Sequence, residues 1–416
     1  MEMTQSQNDA LDRLVSAAAR GKRIIALSGA AGTGKTTMIN ELRTQFNDVV
    51  VCTPTNKAAQ VLCNKGIPAT TFFKTFYLLV EGEQRRNIKP RFVSCKNMVE
   101  EGYFPLGIAP LEDAGKLPEG KRAFANVIIV DEASMVTSRM VAEMRSMCNH
   151  LILVGDRHQL PPVGDRDNPA GYFASLQPDA ELTEVLRQAE GSLILTLANE
   201  LRLGSTQAAR MLRDFAPQDD FEAWVKREAR AIAYTNKERR RINHICRQIF
   251  GYDQPFPQLG DRVIGTNNYS DDFLNGTEAV VLDFEWDGRS QLATVSLDTG
   301  ETNLHNVPML MASFIDDQIG SQQAMLCEDW EKDPQFEPEK PPVELTFGYC
   351  LTAHKSQGSE WADVAVFDQL SLMLKITGND ANAAMAPEEQ VRRWTYTAIT
   401  RARRNLAFAP TWWAKA

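Results

Sequence analysis

The sequence predicts an α/β fold built on parallel sheets, on three observations. Val127-Ile128-Ile129-Val130 and Leu151-Ile152-Leu153-Val154 are bare apolar runs, the pattern of strands covered on both faces. The glycine-rich octapeptide Gly29–Thr36 lies between the apolar run Ile24–Leu27 and a helical pattern opening at Thr37. Strand–helix alternation then starts afresh at Ala231, so the chain reads as two α/β cores.

At 416 residues the chain exceeds one hydrophobic core, and about two to four domains are expected. Its 43% apolar and 24% charged content is that of a soluble globular protein. No apolar run reaches the length of a membrane span, and Met1-Glu2-Met3-Thr4-Gln5 has no signal-peptide character. The seven cysteines form no C-x-x-C pair, so they read as reduced thiols of a cytoplasmic protein without zinc or iron–sulfur centres. A net charge of −9 argues against global steering toward polyanions, while a narrow groove for a single strand stays compatible with it. The basic clusters Arg85-Arg86, Arg239-Arg240-Arg241 and Arg401, Arg403, Arg404 are local.

Along the chain, Gln7–Ala19 has helical spacing and stops at Gly21; Val49–Cys52 is a short buried strand. Residues 79–120, mixed in charge and weakly periodic, read as a small insertion. Leu193–Leu203 is a helix capped by Gly204, and Lys237–Phe250 a basic helix after the strand at 231–234. Between 259 and 312 the period changes. Strand-like runs 262–264, 279–282 and 293–297 are separated by turn signals at Asn275-Gly276, Asp287-Gly288 and Thr299-Gly300, which predicts a small antiparallel barrel. Residues 329–342 read as a surface connection, and strand–helix alternation resumes at Leu345.

The octapeptide Gly29-Ala30-Ala31-Gly32-Thr33-Gly34-Lys35-Thr36 fits the phosphate-loop pattern G-x-x-x-x-G-K-[S/T] at every fixed position, with Thr37 following. Glycines let backbone amides wrap phosphates, whose charge the helix N-terminus favours. Lys35 would reach the β- and γ-phosphates and the Thr36 hydroxyl would coordinate Mg²⁺, so the chain is expected to bind a nucleoside triphosphate. Downstream, the 127–130 strand ends in Asp131-Glu132: one acid to hold Mg²⁺ through water, the other to polarise an attacking water. Gln159, in Gly155-Asp156-Arg157-His158-Gln159, offers an amide to the γ-phosphate after a second buried strand.

With these in order, the sequence resembles superfamily 1 helicases, and among them the RecD-like, 5′→3′ branch (superfamily 1B), in its minimal, Dda-like phage form. Gly29–Thr37, Asp131-Glu132-Ala133-Ser134 and Gly155–Gln159 resemble motifs I, II and III. Gln7 with Ala10 resembles the adenine-reading Gln motif, Thr53–Ala59 motif Ia, and Thr70-Thr71-Phe72-Phe73 motif Ib. Leu182–Gln188 resembles motif IV, Thr352–Gly358 motif V, and Tyr396–Ala402 motif VI. Gly260-Asp261-Arg262-Val263 through Asn275-Gly276 resembles the branch's SH3-like insertion.

The resemblance implies two RecA-like parallel-sheet cores, 1A (1–78 and 121–180) and 2A (181–258 and 345–416), with a pin insertion 1B (79–120) and an SH3-like barrel 2B (259–344). It implies an ATP- and Mg²⁺-dependent helicase that moves 5′→3′ on single-stranded DNA and unwinds forked duplex. A protein-displacing translocase and a nucleotide-gated loading factor are the alternatives. Nucleotide contacts fall to Gln7, Gly29–Thr37, Gln159, Arg187, Gly358 and Arg401, with Lys35, Glu132, Gln159, Arg187 and Arg401 catalytic and Thr36 and Asp131 at the metal. Arg187 and Arg401 would act as arginine fingers from outside the first core. DNA would meet Pro54, Thr55, Asn56, Lys57, Thr71, Phe72, His354 and Ser356. The Thr and Ser positions equally suit helix caps, and His354 a core histidine. Phe72 stands where the branch has His and would stack a base instead. Phe92, Tyr103 and Phe104 could meet the fork or fill the insertion's own core. A monomer in the cytoplasm of a bacterial or phage-infected cell, with a single-strand-binding protein as a further partner, completes the expectation.

Overall fold

In the computed structural model, residues 3–80, 91–96, 120–165, 167–184, 192–270, 273–290, 292–311, 314–315, 342–379 and 385–414 are described. The chain divides into two units, Met1–Glu190 with Asn382–Met385, and Gly191–Ala381 with Ala386–Ala416. No described helix is long and apolar enough to cross a membrane.

The first unit opens with α1 (Gln5–Ala19), whose start is a capping box: the Thr4 hydroxyl accepts from the Gln7 N–H and the Gln7 side chain accepts from the Thr4 N–H. There follow β1 (Ile24–Gly29), α2 (Lys35–Gln45), β2 (Val49–Thr53), α3 (Asn56–Cys63), β3 (Thr70–Thr71), α4 (Phe72–Phe76), β4 (Tyr77–Val80), β5 (Arg91–Ser94), β6 (Ala125–Val130), α5 (Ser138–Ser146), β7 (Cys148–Gly155), α6 (Tyr172–Ser175) and β8 (Ala180–Leu182). Six of the strands form one sheet in the order β3-β2-β6-β7-β1-β8, parallel at every pairing.

The bare apolar runs are explained by two cores, one on each face. Side chains alternate across a strand, so Ile25 and Leu27 of β1, with Ile152 and Val154 of β7, meet Leu14, Met38 and Leu42. Ala26, Leu151 and Leu153 point the other way, toward Phe72, Phe76, Val141 and Met144. Each such buried Leu, Ile or Phe is worth about 1.5–3 kcal/mol over exposure. Because β1, β2, β3 and β6 all run the same way, the segments that follow them share one edge of the sheet. That edge is where open α/β sheets bind ligands. Within the expected insertion, β4 and β5 pair antiparallel; Tyr103 and Phe104 lie outside the described residues, as does the side chain of Phe92.

In the second unit, α7 (Leu193–Leu203) ends at Gly204, whose φ of 67° is a left-handed cap suited to glycine. Next come α8 (Gln207–Met211), α9 (Phe221–Lys226), β9 (Arg230–Ala233), α10 (Asn236–Ile249), β10 (Arg262–Gly265), β11 (Glu278–Glu285), β12 (Leu292–Asp298), β13 (Asn303–Leu310), β14 (Leu345–Phe347), β15 (Cys350–Thr352), β16 (Trp361–Asp368), α11 (Leu370–Gly378), α12 (Pro387–Ile399) and β17 (Ala402–Pro410). A parallel sheet runs β15-β9-β16-β17, and a separate antiparallel sheet runs β13-β12-β11-β10-β14.

Two boundaries need correction. The second core, expected to begin at 181, begins later: Ala180–Leu182 is β8 of the first sheet, with Glu181 facing Ser28 and Leu182 facing Gly29, and the first unit runs to Glu190. Leu345–Phe347, expected to resume the second α/β core, is the last strand of the antiparallel sheet, with Val263 facing Phe347 and Gly265 facing Leu345. Three apolar residues carry no parallel-versus-antiparallel signal, so only the pairing decides. A bridge between Met309 and Val343 joins the sheet's two ends, as a small barrel requires.

Candidate nucleotide site

The phosphate loop follows β1 and runs into α2. Gly32 and Gly34 have φ of 81° and 85°, which side chains disfavour. At Gly29 space decides instead: a Cβ there would lie 2.7 Å from Thr33 Oγ1. Thr33 Oγ1 donates to the Ala30 carbonyl at 3.0 Å and locks the turn. No side chain caps α2, so its first amides face the loop with the positive end of the helix. Lys35 Nζ donates to the carbonyls of Gly29 (2.9 Å) and Ala30 (2.8 Å), holding its charge over the loop.

Asp131 ends on the same edge, at the tip of β6. Burial, then the neighbouring Glu132 carboxylate, push its pKa up to about 6, and the charges of Lys35 and Lys65 oppose that rise. Its Oδ1 accepts the Glu132 N–H at 2.9 Å. Glu132 has φ 53°, a strained setting for a side-chain-bearing residue and one that recurs at functional sites. The short 3₁₀ turn Ala133–Met135 follows. The strand between β6 and β1 is β7, and its final Gly155 is pressed against that turn: a Cβ would lie 3.0 Å from the Ala133 nitrogen and 3.2 Å from the Ser134 nitrogen. Motifs II and III therefore touch through a glycine. Asp156 Oδ1 accepts the His158 N–H, and the Asp156 carbonyl accepts the Gln159 N–H, shaping the turn that carries Gln159.

Ser28 Oγ, Glu132 Oε2, Ser134 Oγ and Gln159 Oε1 are buried without a hydrogen-bond partner. Buried polar atoms are normally satisfied, and orphans gathered on successive motifs mark a place meant for a polar ligand. The donor set also fits Mg²⁺, which takes one or two protein oxygens and completes its shell with water and phosphate; Thr36 and Asp131 are the residues that would supply them. Gln7, through its Nε2, donates to the Thr33 carbonyl at 3.4 Å, and with Thr4, Ser6, Thr33, Leu182 and Glu184 it lines a recess beside the loop. Of these residues, Ser28, Lys65 and Ser134 were missed as site residues. Lys65 is separated from the motifs in sequence and carries no signal of its own.

The expected DNA contacts divide. Thr55, two residues past β2, and Thr71, the last residue of β3, lie on the same edge, yet their hydroxyls accept the N–H groups of Ala58 and Lys74, as caps of α3 and α4. Pro54, Asn56 and Lys57 are half-buried beside them. Phe72 requires correction. It is 2% exposed and packs on Phe76 and Tyr77 with centroids at 5.4 and 5.3 Å, so its ring is inside the core and cannot stack a base. Its neighbour Phe73 is the exposed aromatic, at 37%. Ser356 requires the same correction: fully buried after β15, it donates to the Ala353 carbonyl at 2.8 Å. His354 sits half-buried, and desolvation lowers its pKa below the ordinary value, favouring the neutral ring.

In the second unit, Arg401 joins motif VI to Ser359, the residue that follows motif V. Its guanidinium donates to the carbonyls of Thr397 (2.9 Å) and Ser359 (3.2 Å) and to Thr400 Oγ1 (3.1 Å), and the residue is 4% exposed. Gly358, beside Ser359, has φ 75°. Arg187 lies outside the described residues.

The profile of the AAA domain family (AAA_30) matches residues 2–216. Over 96% of its length the chain is 24% identical to the ATP-dependent RecD2 DNA helicase of Deinococcus radiodurans, covering 48% of that protein. It is 25% identical to the ATP-dependent DNA helicase dda of Enterobacteria phage T4, over 61% of this chain and 59% of that one. The chain thus spans about half the length of the curated relatives it matches. Among solved structures, Pif1 helicase from Bacteroides in complex with ADP-AlF3 and ssDNA aligns with a TM-score of 0.54 and 17% identity, over 98% of this chain and 92% of that one. Pif1 helicase from Candida albicans aligns with a TM-score of 0.53 and 19% identity, over 98% and 94%. These structural likenesses concern the fold.

Proposed function

Because the chain belongs to the AAA domain family and shares the motif order of superfamily 1B helicases, we propose that it is an ATP-dependent DNA helicase moving 5′→3′ on single-stranded DNA. The observation that carries this reading is the convergence of the phosphate loop, Asp131-Glu132 and Gln159 on one edge of a parallel sheet, with four unpartnered buried oxygens among them.

The chain's own groups divide the work. Amides of the loop and of the α2 start bind phosphate, and Lys35 moves its charge from loop carbonyls to phosphate oxygens. Thr36 and Asp131 would hold Mg²⁺, which when bound neutralises charge on the β- and γ-phosphoryl oxygens. Glu132 polarises the attacking water, and Gln159 senses the γ-phosphate. Arg401 and Arg187 supply cationic stabilisation, worth about 10³–10⁵ in rate in related chemistries. Hydrolysis alone does not unwind. Separating a base pair costs about 1.4 kcal/mol of stacking, so we assign the strand-splitting role to the 79–120 insertion and the tracking role to the segments after β2, β3 and β15. Partners on this reading are single-stranded and forked DNA and a single-strand-binding protein, the chain acting as a monomer in the cytoplasm.

The test is ATPase and unwinding measured side by side on duplexes with a 5′ or a 3′ overhang, for wild type and Lys35→Ala. Single-strand-stimulated turnover, unwinding from the 5′ overhang and loss of both in Lys35→Ala are expected. Streptavidin displacement without unwinding would instead indicate a protein-stripping translocase. ATPase indifferent to single strands would indicate a loading factor.

A further inference from the structure

Lys65 lies outside every recognised motif, yet its side chain reaches the nucleotide site. Its backbone is fixed by the end of α3: the Lys65 and Ile67 N–H groups both donate to the Leu62 carbonyl, at 3.0 Å each, and Gly66 takes φ 79°. Ile67, 2% exposed, anchors the turn in the core. From this anchored position Lys65 Nζ lies 3.5 Å from Thr36 Oγ1, one of the two oxygens assigned to Mg²⁺. Among the described residues Lys65 is in no ion pair.

We infer that Lys65 is a resident cation at the metal corner of the site, standing partly in for the divalent ion and so weakening the dependence of nucleotide binding on Mg²⁺. The inference rests on the nucleotide-site reading above. The physical argument has two parts of the same sign. Without Mg²⁺, an ammonium beside Thr36 offsets phosphate charge and helps nucleotide bind. With Mg²⁺, the same ammonium repels the divalent ion. Both effects reduce the coupling between metal and nucleotide, defined as the ratio of the nucleotide Kd in EDTA to that in Mg²⁺.

The experiment is equilibrium binding of a fluorescent ADP analogue to the full chain, in EDTA and in saturating Mg²⁺, for wild type, Lys65→Ala, Lys65→Glu and Lys65→Arg. Lys65→Ala should raise the coupling ratio roughly three- to tenfold, as expected for an exposed unit charge near contact. Lys65→Glu should raise it further, and Lys65→Arg should keep it near wild type. The differences should shrink at high salt, because exposed charges are screened. Lys65 is exposed, so the variants should fold, which circular dichroism checks. An unchanged or lowered ratio in Lys65→Ala and Lys65→Glu, with wild type binding nucleotide normally, overturns the role of Lys65 alone. Wild type that fails to bind the analogue in Mg²⁺ overturns the site reading itself.

Discussion

Arg247 of α10 and Asp261, the residue before β10, form a buried two-pronged ion pair. Arg247 Nε lies 3.1 and 3.0 Å from the two Asp261 carboxylate oxygens and Nη2 lies 2.9 Å from Oδ2, with side chains 3% and 0% exposed. The guanidinium also donates to the Gln254 and Phe256 carbonyls and lies 4.1 Å over the Phe347 ring. Tyr349 donates its hydroxyl to Asp261 Oδ1 at 2.8 Å. The pair ties a helix of the parallel core to the first and last strands of the barrel.

That arrangement yields a stability prediction. Burial pushes the Asp261 carboxyl up, and Arg247 with Tyr349 holds it down. Arg247→Met would leave the buried carboxylate without its counter-charge, a loss of about 3–5 kcal/mol. Denaturant unfolding should show it, and Arg247→Met combined with Asp261→Leu should regain much of the loss. A cost under about 1 kcal/mol for the single change would mean that the pair does not fasten the barrel.

Glu132→Gln keeps the shape of the side chain and removes its basicity. Turnover should fall by about 10² or more, with nucleotide and DNA binding retained. Binding that collapses together with turnover would make Glu132 a structural residue, holding its left-handed turn.

Arg401 has every guanidinium nitrogen engaged within its own unit. Two substitutions separate a finger from a brace. If Arg401 acts on the transferring phosphoryl group, Arg401→Lys and Arg401→Ala should both slow turnover by about 10³ with nucleotide affinity within a few-fold. If it only joins motif VI to Ser359, the thermal midpoint should drop and the turnover of folded protein should stay near wild type.

Phe72→Ala should cost about 3–5 kcal/mol, because a fully buried ring is removed from the core beneath β2 and β6. At a temperature where the variant remains folded, single-strand affinity should match wild type. A fall in affinity without a fall in stability would restore Phe72 as a base contact.

His354 gives a pH prediction. Burial lowers its pKa, so below pH ~6.5 the unfolded chain takes up a proton that the folded chain refuses. Stability is therefore present above the unfolded pKa and is lost as pH falls through the window between that value and the lower folded one. Chemical unfolding at pH 7.5 and 5.5 should show a smaller acid loss in His354→Gln than in wild type. Equal losses would mean the ring is solvated.

Much of the nucleotide site was legible because its chemistry is local. A phosphate loop needs glycine at defined spacing to reach positive φ, and a buried parallel strand must be apolar on both faces, so Gly29–Thr36 and 127–132 declare themselves in one dimension. The helix stop at Gly204 and the turn signals at 275–276, 287–288 and 299–300 were readable for the same reason. Tertiary structure decided what depends on partners distant in sequence. Nothing local distinguishes Phe72 from Phe73, and only packing against Phe76 and Tyr77 puts the first ring inside. Leu345–Phe347 joined the barrel because β10 was there to pair with it, and Lys65 reached Thr36 because α3 ends where it does. Local spacing fixes backbone conformation and side-chain periodicity; burial, register and the company a charge keeps are set by chain segments brought together only on folding.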